Sequence, residues 1–277
     1  MTTLIHTSAR PSHYNSGAEH YDGYNEKNST PINEFIDKTL RKYRVKSVLD
    51  LTCGTGSQVF WLAKRGFEVV GSDINSKMLA VARTKAQKSK HQVKLLRGDM
   101  RTLKAGTFDA AITIFNAVGH LTKEDFEKAM RNIHENLTEG GLYVFDIFNL
   151  NYLAKQDNIK KLTIDWHQVN GKTTVRDIQY STLDKEGVLA SYNISHEQRG
   201  SNKPTISRSS QTLQIYNARQ LREMLRRNGF KTLNQCEFDG SRFSDGNSER
   251  IVTIAKKSSN QRSDWPNRAK SFVRSRK

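Results

Sequence analysis

The sequence predicts an α/β fold: a doubly wound, mostly parallel sheet of seven strands, with an antiparallel sheet inserted after the fifth. Two changes of period carry this expectation. From Val45 to about Leu150 short apolar runs alternate with helical stretches, the pattern of parallel strands joined by crossover helices. From Thr173 to Tyr216 the period falls to two, apolar or aromatic against polar, as in antiparallel strands. A helix and two apolar runs then return after Tyr216, so the C-terminal part can complete the first sheet.

Val45–Leu51 reads as the first strand and Gly56–Arg65 as a helix. Phe67–Asp73 is the second strand, followed by helix Ser76–Lys88, with Met78, Leu79, Ala82 and Ala86 on one face. Val93–Arg97 and Phe108–Phe115 are strands three and four, and Lys123–Leu137 is an amphipathic helix. Leu142–Phe148 is strand five, preceded by a Glu139-Gly140-Gly141 turn that lets the chain stop and reverse. The insertion comprises Thr173–Leu183, Val188–Gln198 and Thr205–Tyr216, divided by Lys185-Glu186-Gly187 and Gly200-Ser201-Asn202, in a sheet of roughly three or four strands. Helix Ala218–Arg227 and strands Thr232–Phe238 and Arg250–Ala255 close the core.

Composition narrows the class. At 277 residues with 35% apolar, the chain can bury a sizeable core under a polar surface. No run approaches eighteen apolar residues, so no membrane-spanning helix is expected, and the start lacks an apolar stretch long enough for a secretory signal. Cys53 and Cys236 form neither a disulfide framework nor a zinc set, so no metal and a reduced, cytoplasmic setting are expected. The net charge of +17 is concentrated. Residues 77–104 carry nine basic side chains against Asp99, and residues 256–277 carry eight against Asp264. Such a field attracts polyanions, although a lysine-rich helix face and a solvated tail account for it equally simply. From residue 258 the chain reads as a basic, disordered tail.

The chemistry concentrates at three strand ends. Asp50-Leu51-Thr52-Cys53-Gly54-Thr55-Gly56 ends a strand and opens a helix, so glycines admit a ligand close to the backbone and the helix start favours a negative group. Asp73 ends the next strand, placed to accept from two ribose hydroxyls, and is followed by Ile74 and Met78. Asp99-Met100 ends strand three, where a carboxylate can accept from an exocyclic amine and a thioether can pack on a ring.

Together these motifs resemble the class I, Rossmann-like S-adenosylmethionine-dependent methyltransferases over residues 45–148. The resemblance implies that Asp50, Thr52, Gly54 and Gly56 form the first cofactor motif, with Thr52 where glycine is commoner. It makes Asp73, Ile74 and Met78 the ribose region and Asp99 with Met100 the adenine pair. Thr138-Glu139-Gly140-Gly141 is similar to the family's Pro-Gly-Gly turn. A looser resemblance, to glycine and sarcosine N-methyltransferases, rests on Phe115-Asn116-Ala117-Val118-Gly119-His120-Leu121 and on Phe145-Asp146-Ile147-Phe148-Asn149-Leu150-Asn151-Tyr152. It implies a helical cap over the cofactor site from residues 1–44, an α/β core over 45–150, an antiparallel substrate wall over 151–216 and completing elements over 217–257. Tyr14, Tyr21 and Tyr24 would cover the cofactor. Phe115 and Asn116 would contact it, and Tyr21, Asn116 and His120 would serve catalysis. Phe148, Asn149 and Tyr152 would face the substrate.

One departure bears on the substrate. The resembled enzymes hold glycine's carboxylate with an arginine at the position of Phe148, and an apolar ring cannot replace that pair. Glycine and sarcosine are therefore expected to be poor substrates, with Arg176 and Arg199 the first alternatives for a missing cation. The expected function is methyl transfer to a small-molecule amine, in a chain whose pattern leaves a homo-oligomer open. The alternative is methylation of RNA or another nucleic acid, or of protein, through the basic surface. It is disfavoured because Ile114-Phe115-Asn116-Ala117 lacks an Asn/Asp-Pro-Pro-aromatic motif and no cysteine follows strand four.

Overall fold

The computed structural model describes residues 3–13, 18 and 21–258; for residues 23–28, 156 and 170 it describes the backbone only. Helix α1 (Tyr21–Lys42) leads into β1 (Ser47–Asp50), α2 (Ser57–Ala63), β2 (Glu68–Asp73), α3 (Ser76–Lys88), β3 (Lys94–Arg97) and β4 (Phe108–Thr113). Helix α4 (Lys123–Glu135), β5 (Leu137–Phe148) and the single turn α5 (Leu150–Leu153) follow. The insertion is β6 (Ile164–Asn170), β7 (Thr173–Leu183), β8 (Val188–Arg199) and β9 (Thr205–Gln214). Helix α6 (Ala218–Arg227), β10 (Phe230–Cys236) and β11 (Arg250–Lys257) complete the order.

The main sheet has seven strands in the order β10-β11-β5-β4-β1-β2-β3, and β11 runs antiparallel to both its neighbours. Strand order reverses between β1 and β4, so a crevice opens at their C-terminal ends, where open α/β sheets bind ligands. The second sheet is the antiparallel meander β6-β7-β8-β9. Local chemistry explains the helix starts near the crevice. The Asn75 side chain accepts from the N–H groups of Lys77 and Met78 at the start of α3, and Thr122 accepts from Asp125 N–H at the start of α4. In α4, Phe126, Ala129, Met130 and Ile133 follow helical spacing and are fully buried, each large side chain contributing about 1.5–3 kcal/mol of burial. One core lies under α4 and α6, and a second lies under α1, α2 and α3 on the opposite face of the sheet.

Two elements differ from the sequence reading. The ladder of β5 begins at Leu137 rather than Leu142, with Gly140 at φ +73° and a register shift opposite Phe108 and Ala110, so the expected turn is an irregularity within the strand. Strand β6 is the fourth of the three or four strands expected of the insertion, one to which the sequence pattern assigns no residue range. Among the described residues no helix is long and apolar enough to cross a membrane, no group of side chains could hold a metal, and both cysteines are free and buried.

Candidate active site

The crevice is a cleft of about 110 Å³. Its floor is the loop after β1. Gly54 (φ +52°) and Gly56 (φ +96°) take left-handed conformations that side chains rarely adopt, and a Cβ on Gly56 would run into the Phe60 ring. The second β-strand's terminal acid fastens this loop: Asp73 Oδ2 accepts from Gly54 N–H at 2.9 Å and Oδ1 from Asn75 N–H at 2.8 Å. Burial holds the Asp73 carboxyl above its usual range despite these bonds. Each oxygen keeps accepting capacity toward the cleft, which Asp73 lines with Ile74, Met78, Thr52 and Gly54.

Asp50 lies beneath this floor, not on it. It is 1% exposed, and its Oδ1 accepts from Thr52 N–H at 3.1 Å. Burial pushes its pKa up to about 7, with Asp73 adding to the rise against the Thr52 bond. Asp50 Oδ2 and Thr52 Oγ1 are buried with no hydrogen-bond partner among the described residues. An orphaned hydroxyl on the wall of a polar cleft is a group awaiting a ligand.

Asp99 and Met100 line the far end, but Asp99 is already clamped. Arg101 Nε reaches both its oxygens at 3.0 Å and Nη2 reaches Oδ2 at 2.5 Å. Burial acts to raise the carboxyl, and the Arg101 bonds outweigh it, holding Asp99 below the usual range. Arg101 Nη1 also reaches Asp125 Oδ2 at 2.5 Å, and Ser8 Oγ donates to that same oxygen at 2.6 Å. The adenine-type acid is thereby tied to the N-terminal strap.

That strap forms the roof. Ala9 N–H donates to His120 C=O at 2.8 Å, and His6 bridges Thr212 Oγ1 (2.8 Å) and Leu121 C=O (3.0 Å). Ala9, Arg10, Pro11 and His13 face the cleft. Tyr21 and His120 line it too. Burial, reinforced by Asp73, pushes the Tyr21 hydroxyl up to about 12, so it stays a donor. Burial, reinforced by His13 and His6, pushes His120 down to about 3, so its imidazole is neutral.

The chain after β4 is strained. Phe115 and Asn116 have φ +66° and +58°, a left-handed pair unusual for an aromatic residue. Two cross-bonds hold it: Phe115 N–H donates to Asp146 Oδ1 at 2.6 Å, and Phe148 N–H donates to Asn116 Oδ1 at 2.9 Å. The Asn116 side chain is therefore spent on β5, and Phe115 and Ala117 line the cleft in its place.

Several residues expected at the site have structural employment instead. Asn149 is fully buried, and its Nδ2 donates to the C=O groups of Asp245 and Ser248. The Tyr152 hydroxyl accepts from Lys161 Nζ at 2.7 Å, and neither residue lines the cleft. Phe148 lies outside the cleft lining, with the Arg250 guanidinium 4.7 Å from its ring centroid. Gly56 shapes the loop without lining the cleft. Tyr14 falls outside the described residues, and of Tyr24 only the backbone is described. Arg176 pairs with Asp165 and Arg199 with Glu197 on the exposed insertion, away from the cleft lining. The sequence reading missed the strap residues, Asn75, Arg101 and Arg250. Of these only Asn75 carried a local signal, as a cap before the apolar-periodic helix.

A switch-point crevice with a left-handed glycine loop, an acid ending β2 and an acid after β3 defines a nucleoside-cofactor domain. Residues 48–141 match the family model described as a methyltransferase domain. A putative methyltransferase of Geobacillus is 34% identical over 140 residues, 48% of this chain and 57% of that one. A glycine/sarcosine N-methyltransferase of Parasynechococcus marenigrum is 33% identical over 126 residues, 44% of this chain and 45% of that one. The chain thus spans about half the length of these curated relatives. The fold matches the crystal structure of an S-adenosylmethionine-dependent methyltransferase from Clostridium acetobutylicum, with a TM-score of 0.73, 18% identity, and coverage of 88% of this chain and 99% of that one. Residues 48–141 thus match a methyltransferase domain, set in a fold shared with an S-adenosylmethionine-dependent methyltransferase.

Proposed function

We propose that the protein transfers a methyl group to the nitrogen of a small-molecule amine. The cofactor fits the residues present. Asp73 has accepting capacity for ribose hydroxyls, Ile74, Met78 and Met100 offer apolar surface to a base, and Thr52 Oγ1 and the Gly54 loop offer polar contacts to the amino-acid end. When bound, S-adenosylmethionine supplies an electrophilic methyl group on a sulfonium sulfur. The chain's own work is to position the acceptor and exclude water.

The choice of nitrogen rests on one observation: of the acids, tyrosine and histidine on the cleft floor and walls none is a general base suited to an alcohol, and the roof histidine His13 is bonded through Nε2 to Gln211 Oε1 at 3.1 Å. Asp73 and Asp99 are held by donors, Tyr21 stays protonated, and His120 at about 3 is too weak a base to keep a proton near neutrality. An alcohol needs such a base, whereas a neutral amine brings its own lone pair. His120 and Tyr21 then orient the acceptor by hydrogen bonding, and burial of cationic charge disfavours the ammonium form. The N-methyltransferase among the curated relatives supports the same reading.

The test is to incubate the full chain with isotopically labelled S-adenosylmethionine and a panel of neutral amines, glycine, sarcosine, alcohols and phenols, with detection by mass spectrometry. Label on nitrogen of the larger neutral amines is expected. Label confined to oxygen, or turnover of free glycine in preference to the larger amines, would overturn the reading.

A further inference from the structure

A second concave surface lies on the opposite side of the glycine loop, between α1, α2 and the C-terminal turn of α3. This groove holds about 870 Å³. Phe60 and Trp61 are half-buried on its floor, and Lys64, Arg65, Lys85 and Lys88 line its walls. No acidic residue is among the described lining residues. Arg65 is held in place, its guanidinium 3.6 Å from the Trp61 ring centroid and its Nε 3.3 Å from Asp37 Oδ2. Lys85 Nζ is 2.6 Å from Asp22 Oδ2. Lys64 and Lys88 are exposed and make no ion pair among the described residues. Lys85 and Lys88 also offset the negative end of α3, which accounts for part of the local charge but not for Lys64 or for what lies beyond. Past the groove, Arg83, Lys90, Lys94 and Arg97 are all exposed, within a segment whose net charge is +8.

We propose that this groove binds a single-stranded polynucleotide. The lysines suit the phosphate backbone of a single strand, the Arg65 guanidinium stacked on Trp61 offers a plane for its bases, and the charge extends well past what one phosphate could cover. The site is separate from the methyl-transfer cleft, so the inference stands independently of the acceptor.

The experiment is fluorescence anisotropy of a labelled sixteen-nucleotide oligouridylate with the full chain across 50–200 mM salt. Binding is expected to weaken steeply with salt. In the doubly substituted Lys64→Ala/Lys88→Ala chain, affinity should fall at least tenfold and the log–log salt slope by about 1.4, at about 0.7 per lost phosphate contact. S-adenosylmethionine affinity and melting temperature should be unchanged in that variant, which separates loss of the groove from loss of the fold. A chain ending at Lys257 should still respond to the two substitutions. The proposal is overturned if the full chain does not bind the RNA, or if the double variant binds as well as wild type. It is equally overturned if truncation abolishes the response to the substitutions, or if phosphatidylserine vesicles bind while the RNA does not.

Discussion

Replacing Arg250 by methionine leaves a charge inside the protein with nothing to balance it. Asp146 is 0% exposed, and its Oδ2 accepts from Arg250 Nε at 3.1 Å and Nη2 at 2.6 Å. The guanidinium is sandwiched 4.7 Å from the ring centroids of both Phe148 and Phe238. Breaking such a pair from one side costs about 3–5 kcal/mol, and losing two ring contacts adds about 0.5–2 kcal/mol each. The charge component has a pH signature. Burial already raises the Asp146 carboxyl above its usual range, against the lowering by Arg250 and the Phe115 N–H bond. Protons are therefore favoured in the folded state, and stability declines as pH rises from the unfolded value of about 4 through the folded one. Without Arg250 the folded value rises further, so the deficit of the variant should widen from pH 5 to pH 8. Urea unfolding at both pH values should show this, and Asp146→Asn combined with Arg250→Met should recover much of the loss, since asparagine can still accept from Phe115 N–H. An equal deficit at pH 5 and pH 8, with no recovery in the double variant, would mean that Arg250 acts through ring packing alone.

Asp73→Ala should weaken S-adenosylmethionine binding by about 2–3 kcal/mol, or about 30- to 150-fold, because charge-assisted bonds to the ribose hydroxyls are lost; unchanged affinity by calorimetry would place the ribose elsewhere. With His120 neutral at every pH above about 4, kcat/KM between pH 6 and 9 should carry no inflection from His120, and His120→Gln should lower kcat while preserving the profile's shape. An inflection near 6.5 that His120→Gln removes would refute this. A chain ending at Lys257 keeps the closing bond from Lys257 Nζ to Leu137 C=O (2.8 Å), so it should melt and bind cofactor as the full chain does. Loss of cofactor binding would show that the remaining residues contribute to the site.

The sheet was legible because its strands are apolar runs set apart by helical spacing, and burial enforces both. Strand β6 was not. Ile164 and Trp166 fall on one face and Val169 on the other, so Ile164-Asp165-Trp166-His167-Gln168-Val169-Asn170 shows no continuous alternation, and its pairing with β7 is a matter of backbone register. The cleft floor was legible for a different reason: Gly54, Asp73 and Met78 sit at fixed offsets from strand ends. Its roof was invisible because it depends on partners remote in sequence. His6 meets Thr212 from 206 positions away, and Ala9 meets His120. Nothing in Arg10-Pro11 announces a ligand-facing segment. Asn116 and Phe148 were placed near the chemistry by position, yet asparagine and backbone there bond to each other to hold a left-handed bend.

The acceptor argument changes ground once β11 is paired with β5. Phe148 lacks the charge that would hold a carboxylate, but its cross-strand partner is Arg250, whose guanidinium stands over the ring. A cation is thus present beside Phe148, supplied by the neighbouring strand, although neither residue is among the described cleft lining. Its charge, however, is committed to Asp146, and Tyr21, which lines the cleft, senses both groups electrostatically. In our proposed reading, a carboxylate entering here would compete with a fully buried carboxylate for one guanidinium, and the loser would be left unpaired. A neutral amine with an apolar body faces no such competition. In the cleft it would meet Phe115, which packs on Phe238 with centroids 5.7 Å apart. On that reading, discrimination against glycine-like substrates would follow from an engaged arginine rather than an absent one, and a change that freed Arg250 from Asp146 would shift the preference toward acids.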